Sequence, residues 1–470
     1  MVPSLFLLLL VAGAAAQGHD DAVARRTMEE FAGFPASDDG EGDRRAYALR
    51  VDSEGLQRQI DELASFSDSP APSVTRVLYS DKDVQARRYI KGIMKELGLA
   101  VREDAVGNIF GRWVGHEAEL GAVATGSHVD AIPFSGKYDG VVGVLGALEA
   151  ISVLKRSGFQ PKRSLEVIMF TSEEPTRFGI SCLGSRLMAG SEELAQSLKR
   201  TVDNQNLSFV DAADSAGYKI HPEDLHDVFL NQDTYFAFVE LHIEQGPILE
   251  KEGIPIGIVT AIAAPASIKV EFEGNGGHAG AVLMPARNDA GLAAAELALA
   301  VEKHVLDSGS IDTVGTVGIL QLHPGAINSI PSKSHLEIDV RDIDEKRRND
   351  VIEKVHQSAV EISKIRRVEL SEFKIINQDP PALSDKAVIN AMEFAAKQLG
   401  LQYQLMISRA YHDSLFMARI QPQAGRVCVA GGHGERSEGA SLDYGEIIPR
   451  VTTAWEESRG KYPTPVFPCR

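Results

Sequence analysis

Imidazoles and carboxylates gather at three places in the chain, each close to a run of apolar residues. The first is GSHVDAIPFSGKYDG, Gly126 to Gly140, which carries His128, Asp130 and Asp139. Nitrogen and oxygen donors together suit zinc, or manganese where oxygen dominates. Asp130, two positions after His128, is placed to accept the other ring proton and fix the tautomer behind a ligand. The same loop also suits a solvated polar cluster, and His-x-Asp alone does not separate the two. The second is Thr171-Ser172-Glu173-Glu174-Pro175. Adjacent carboxylates repel and are costly to desolvate unless a cation or a proton offsets them, so one acid could hold a metal while its neighbour takes a proton from water. The competing explanation is a helix N-terminus, where acids favour the dipole and proline suits the first turn. The third is Glu240-Leu241-His242-Ile243-Glu244-Gln245-Gly246-Pro247, where strand alternation sets Glu240, His242 and Glu244 on one face. A lone strand histidine is ordinarily a packing residue. Three strand ends that each deliver a histidine or carboxylate, with Asp139 able to bridge two ions, point instead to paired-metal hydrolysis.

Such residues need elements to hold them. Leu120–Thr125 and Leu165–Phe170 read as strands around a helix over Val141–Leu154, the alternation of a buried parallel sheet. Ligands in such sheets gather beyond the carboxyl ends of the strands. Asp83 to Leu97 has the apolar spacing of an amphipathic helix and Gly98 stops it. From about Gly253 to Val368 the pattern changes to strands at Ile256–Val259, Ile268–Phe272, Thr313–Leu320 and Leu336–Val340, with helices at Ala290–His304 and Asp344–Ile362. That predicts a small α+β domain inserted into a larger one, with a helix over Asp385–Leu399 returning to the latter. The expected organisation is a signal peptide at 1–16, a mobile leader at 17–50, catalytic segments at 51–252 and 373–420, the insertion at 253–372, and a tail at 421–470.

Composition narrows the function classes. With 48 Lys and Arg against 66 Asp and Glu, the net charge is −18, a poor counterion for phosphate backbones or anionic lipid, so no nucleic-acid partner is expected. Cys182, Cys428 and Cys469 make neither a disulfide framework nor a structural zinc site. Leu5 to Val11 is an apolar run closed by Gly13, Ala14, Ala15 and Ala16, which reads as a secretory signal cleaved near Ala16, although no Lys or Arg precedes it. No stretch approaches the ~20 apolar residues of a membrane span. Asn206-Leu207-Ser208 is a candidate glycosylation acceptor.

As a set, GSHVDAIPFSGKYDG, FTSEEPTRFG, ELHIEQGP, GNGGHAG and AYHDS resemble the dinuclear-metal amidohydrolases of the aminoacylase and carboxypeptidase superfamily, in its allantoate and ureidoglycolate amidohydrolase branch. The likeness runs from about Val51 to Arg419, and the first and last motifs are worded closest to the plant ureidoglycolate amidohydrolases. It implies an α/β, metallopeptidase-like catalytic domain with a central mixed sheet flanked by helices, and an inserted α+β dimerisation or lid domain. It also implies two divalent ions per chain, manganese by family habit: His128 and His242 hold one, Asp139 bridges, Glu174 holds the second, and Glu173 is the general base. The family's inserted domain forms a homodimer and lends a histidine across the interface. His278 matches that position and would hydrogen-bond the developing oxyanion; its alternative is a surface histidine in a glycine loop. The implied substrate is a small anionic ureide, with Arg341 as carboxylate clamp, Asn328 as amide contact, and Gln245, Tyr411 and His412 lining the pocket. For Arg341 an ordinary ion pair with Asp339, Asp342 or Asp344 competes. The implied reaction is hydrolysis of ureidoglycolate to glyoxylate, carbon dioxide and ammonia, in the secretory pathway at the endoplasmic reticulum. Allantoate and N-carbamoyl amino acid hydrolysis are the alternatives.

The tail departs from this pattern. Relatives continue beyond the equivalent of Ile420 into an apolar strand, a Ser-His loop that supplies the last ligand of the second metal, and a closing helix. Residues 421–470 do not match that ending, and His433, between glycines, stands a few positions short of the ligand's place. The expectation is an impaired second metal site and an uncovered part of the main sheet, with an inactive dimeric homologue as the rival from another class.

Overall fold

Ala122–Ser127 and Leu165–Met169 are buried along their whole length, and the helix Val141–Arg156 between them is buried almost all round. Strands of this kind have no solvent face and must lie inside a sheet covered by helices on both sides. The computed structural model describes residues 51–420, except 222 and 399, and the strand 427–432. The expected signal peptide and leader and the candidate ligand His433 lie outside the described residues.

The described residues fold as two compact units, one built on those up to Thr260, on Leu383–Met406 and on those from His412, the other on Ala261–Ala382 with Ile407–Tyr411. The first unit carries a nine-stranded sheet in the order Ala382–Leu383, Ile256–Ile262, Val427–Gly432, Tyr235–Ile243, Ala122–Ser127, Leu165–Met169, Ile109–Trp113, Ala100–Glu103, with Tyr403–Ser408 also pairing with Ile256–Ile262. Its centre, from Val427–Gly432 to Leu165–Met169, is parallel; Ile256–Ile262 on one side and Ile109–Trp113 on the other pair with it antiparallel, and Ala100–Glu103 pairs antiparallel with Ile109–Trp113. One face is covered by the helices Ser53–Ser65, Asp81–Glu96, Val141–Arg156 and Lys386–Gln398, the other by Leu183–Met188, Glu192–Leu198 and Phe209–Ser215. This is the mixed, helix-flanked α/β sheet that the motifs implied. Gly143 lets the central helix lie directly on it, since a Cβ there would meet the Leu241 carbonyl oxygen at 2.4 Å.

Two readings of the sequence need correction. Val427–Gly432 forms a strand parallel to Tyr235–Ile243 and antiparallel to Ile256–Ile262, with Gly431 level with His242. The apolar strand thought to be missing from the tail is therefore present, and the centre of the sheet is not uncovered. Six residues, two of them glycine, gave too short an apolar run to be recognised. The inserted unit also ends later than expected, because Glu369–Gln378 is one of its strands; its side chains are mostly exposed and polar, which masks the alternation. That unit is a four-stranded antiparallel sheet in the order Val314–His323, Lys333–Asp342, Ala264–Glu273, Glu369–Gln378. The helices Ala290–Leu306 and Glu345–Arg366 pack on it. Among the described residues no helix is long and apolar enough to cross a membrane.

An ion pair in the first unit is wholly enclosed: Arg87 Nε lies 2.8 Å from Asp83 Oδ2, with side-chain exposures of 2% and 0%. The Arg87 guanidinium also donates to the Gly107 carbonyl at 2.6 Å and to Thr171 Oγ1 at 3.3 Å, so it braces the strand end that leads into the Glu173 loop. Asp83→Ala leaves a buried cation without its counterion and should cost ~3–5 kcal/mol, read as a lower midpoint in urea denaturation.

Candidate metal centre

The central strands are parallel, so their carboxyl ends lie side by side and the loops after them meet. His128 follows Ala122–Ser127, Glu173 and Glu174 follow Leu165–Met169, and His242 stands near the end of Tyr235–Ile243. Asp139 enters from the loop before the helix Val141–Arg156. One donor atom each from His128, Asp139 and His242 falls within 4.8 Å of the others. His242 Nε2 is 3.3 Å from Asp139 Oδ1.

Hydrogen bonding fixes which ring nitrogens face the cluster. His128 Nδ1 lies 3.0 Å from the Asp130 carbonyl oxygen and His242 Nδ1 lies 2.9 Å from that of Ile243. A carbonyl only accepts, so each Nδ1 carries the proton and each Nε2 offers a lone pair. Two such nitrogens and a shared carboxylate fit a divalent cation of the zinc or manganese type. Gly140 makes the approach possible: its φ is +66°, and a Cβ there would sit 2.5 Å from His128 Nε2. Gly140→Ala should weaken divalent-metal binding ~10-fold or more, measured by titration of the metal-free protein.

Asp130 acts differently from the expectation. Its carboxylate is 3.6 Å from His128 Nδ1, too long for a hydrogen bond, and the ring proton goes to its main chain. The carboxylate instead accepts the backbone N–H of Glu173 at 3.3 Å and of Glu174 at 3.0 Å, holding the acidic loop in place. That loop is conformationally constrained, with Ser172 at φ +55°.

Burial pushes the Glu173 carboxyl well above the usual carboxylate range; nearby His128 draws it down, and Glu174, Asp413 and Asp130 add to the rise. Its Oε2 is 3.8 Å from His128 Nε2 and its Oε1 accepts from the Cys182 thiol at 3.5 Å. Glu174 is pushed up to about 7, by burial first, with His128 opposing and Asp130 and Asp139 reinforcing. Cations beside the pair would reverse both shifts by stabilising the ionised forms. The Glu174 carboxylate falls outside both groups of donor atoms that close to within 4.8 Å. The second such group is Glu240, His242 and His412, with the His412 ring centroid 4.6 Å from that of His242. Gln245, at φ +57°, donates its amide to both Asp139 oxygens at 2.9 and 2.8 Å.

The remaining expected residues belong to the second unit. His278 is exposed on the short strand Gly277–His278, paired with Ser329–Ile330, and Ala279 N donates to the Asn328 carbonyl at 2.9 Å. Arg341 directs Nε and Nη2 onto the Asp339 carboxylate at 2.6 and 3.3 Å, the ion pair weighed as its alternative. Its Nη1 donates to the Arg409 carbonyl at 2.9 Å, and the Tyr411 hydroxyl donates to Asp379. Reading by sequence missed Cys182, Ser127, Ser414 and Asp413 and gave no role to Glu240, although the alternation that placed Glu240 on the His242 face was the available signal.

The model of peptidase family M20/M25/M40 matches residues 124–453. The chain belongs to that family. The match extends through the described strand Val427–Gly432 and beyond it, so the likeness does not stop at Arg419 as the motifs suggested. Ureidoglycolate hydrolase of Oryza sativa subsp. japonica is 88% identical over 400 residues, 84% of this chain and 83% of that protein. Ureidoglycolate hydrolase of Arabidopsis thaliana is 72% identical over 422 residues, 89% and 88% of the two chains. The crystal structure of AtUAH in complex with glyoxylate superposes with a TM-score of 0.81 at 69% identity, covering 87% of this chain and 99% of that one.

Proposed function

We propose that this family M20 chain hydrolyses ureidoglycolate to glyoxylate, carbon dioxide and ammonia. The observation that carries the reading is its high identity, over most of both lengths, to plant proteins named for that reaction. The cluster of His128, Asp139 and His242 beside the Glu173–Glu174 pair supplies chemistry that fits it. Those histidines, Asp139 and Glu174 would hold two divalent cations, whose charge acidifies a water and polarises the ureido carbonyl. Glu173 accepts the water proton as the water oxygen bonds to the ureido carbon. The same carboxyl returns it to the leaving nitrogen as the carbon–nitrogen bond breaks. The carbamic acid formed loses carbon dioxide, and the hydroxylated amine that remains expels its nitrogen as ammonia to leave glyoxylate. Gln245 holds the Asp139 carboxylate in a single orientation throughout.

The finer assignments belong to the same proposal and rest on the motif resemblance. Manganese is the ion, a homodimer forms through the inserted unit, and His278 of one subunit stabilises the oxyanion developed in the other. Asn328, Arg341, Tyr411 and His412 hold the substrate, with Arg341 exchanging Asp339 for the substrate carboxylate. The apolar N-terminus directs the chain through the secretory pathway to the endoplasmic reticulum. A panel of ureidoglycolate, allantoate and N-carbamoyl amino acids, scored by ammonia release, tests the substrate. Ureidoglycolate should be preferred at least ~100-fold in kcat/KM, as expected where a polar site is built for one pattern of hydrogen bonds. Equal or greater turnover of either rival would overturn the assignment.

A further inference from the structure

Glu240 is 0% exposed, in the strand Tyr235–Ile243. Three donors converge on its carboxylate: Ser127 Oγ on Oε1 at 2.7 Å, and Ser414 N at 3.2 Å and Ser414 Oγ on Oε2. Both serines are themselves fully buried. Glu240 also lies within metal-ligand reach of His242 and His412, but its oxygens are tied to two buried serines by three donors, whereas the half-buried Asp139 is held by the Gln245 amide. The position of Glu240 in the chain indicates a different task. Ser127 immediately precedes His128, Glu240 is two residues before His242, and Ser414 is two residues after His412. One carboxylate thus ties together the three segments that bring three histidines to the sheet's carboxyl edge.

We infer that Glu240 is a positioning residue, a buried clamp that sets the His128 segment for metal binding through Ser127 and the His412 segment for substrate binding through Ser414. Charge-assisted hydrogen bonds to a buried carboxylate are strong and directional, and removing one frees a single segment and leaves the other anchored. The clamp therefore acts as two separable arms. The substrate arm rests on the role proposed for His412, whereas the metal arm holds whatever the substrate is.

The test compares Ser127→Ala, Ser414→Ala and Glu240→Gln in the full chain, with manganese titrated into metal-free protein and ureidoglycolate kinetics at saturating metal. Ser127→Ala should weaken manganese binding ~10–100-fold and leave KM within about two-fold. Ser414→Ala should raise KM ~10-fold or more with manganese affinity unchanged, and Ser414→Thr, which keeps the hydroxyl, should restore it. Glu240→Gln should show both defects; if it does not fold, the two serine variants carry the test alone. A general packing role would lower the melting temperature and move both readouts in step in every variant. That result, or unchanged metal affinity in Ser127→Ala together with unchanged KM in Ser414→Ala, overturns the clamp. Unchanged manganese affinity in Ser127→Ala counts against the clamp itself, whereas weakened affinity there with no ureidoglycolate turnover in the wild type counts against the substrate reading.

Discussion

Glu173→Gln should lower kcat for ureidoglycolate by ~10²–10⁴ while KM and metal content stay within about two-fold of the wild type. The amide keeps the length and shape of the side chain, and the Cys182 thiol can still donate to its oxygen. It cannot take a proton from water or return one to the leaving nitrogen. The loop itself is held by Asp130 through the backbone N–H groups of Glu173 and Glu174, so the substitution leaves its anchoring intact. A fall in kcat without a fall in metal content identifies the proton carrier; a parallel loss of metal would make Glu173 a ligand instead. Steady-state kinetics combined with elemental analysis of the same preparations reads both.

His242→Ala should abolish activity through the metal. His242 is the member shared by both groups of donor atoms, and its Nε2 faces Asp139 at 3.3 Å. Removing it leaves His128 as the described imidazole beside Asp139. Affinity should fall by more than ~100-fold, beyond the loss usual for residues that only support a ligand. Binding also stabilises the folded protein: at 100 times its dissociation constant an ion adds ~2.7 kcal/mol. Thermal denaturation with and without manganese should therefore show a rise in the wild type and none in His242→Ala. Equal rises in both would place the ion elsewhere.

Much of this arrangement could be read from the residues alone, for a physical reason. A parallel sheet brings its strand ends to one edge, so a motif just after an apolar run has its position given by the strand before it. His128 and Glu173 follow that rule, His242 stands at the end of its own strand, and Asp139 enters from the loop before the next helix; the structure sets all four in one neighbourhood of the first unit. The alternation of Ala264–Glu273 and Lys333–Asp342, buried at every second position or nearly so, likewise exposed the strands of the inserted unit. What stayed hidden depends on contacts between residues far apart in the chain. The bonds from Ser127 and Ser414 to Glu240 span 113 and 174 residues, and no local pattern announces them. Whether the Asp130 side chain or its main chain would meet the His128 proton was equally open until the loop geometry was known. Val427–Gly432 was missed because its two neighbouring strands, rather than its own short sequence, define it as a strand.

The most direct test of the central claim is to strip the purified chain of metal, supply ureidoglycolate, and follow glyoxylate and ammonia before and after manganese is restored. The proposed function predicts no release from the metal-free protein and, on reconstitution, two ammonia molecules for each glyoxylate, from the balance of a metal-assisted hydrolysis. A folded, manganese-loaded chain that releases neither product would contradict it.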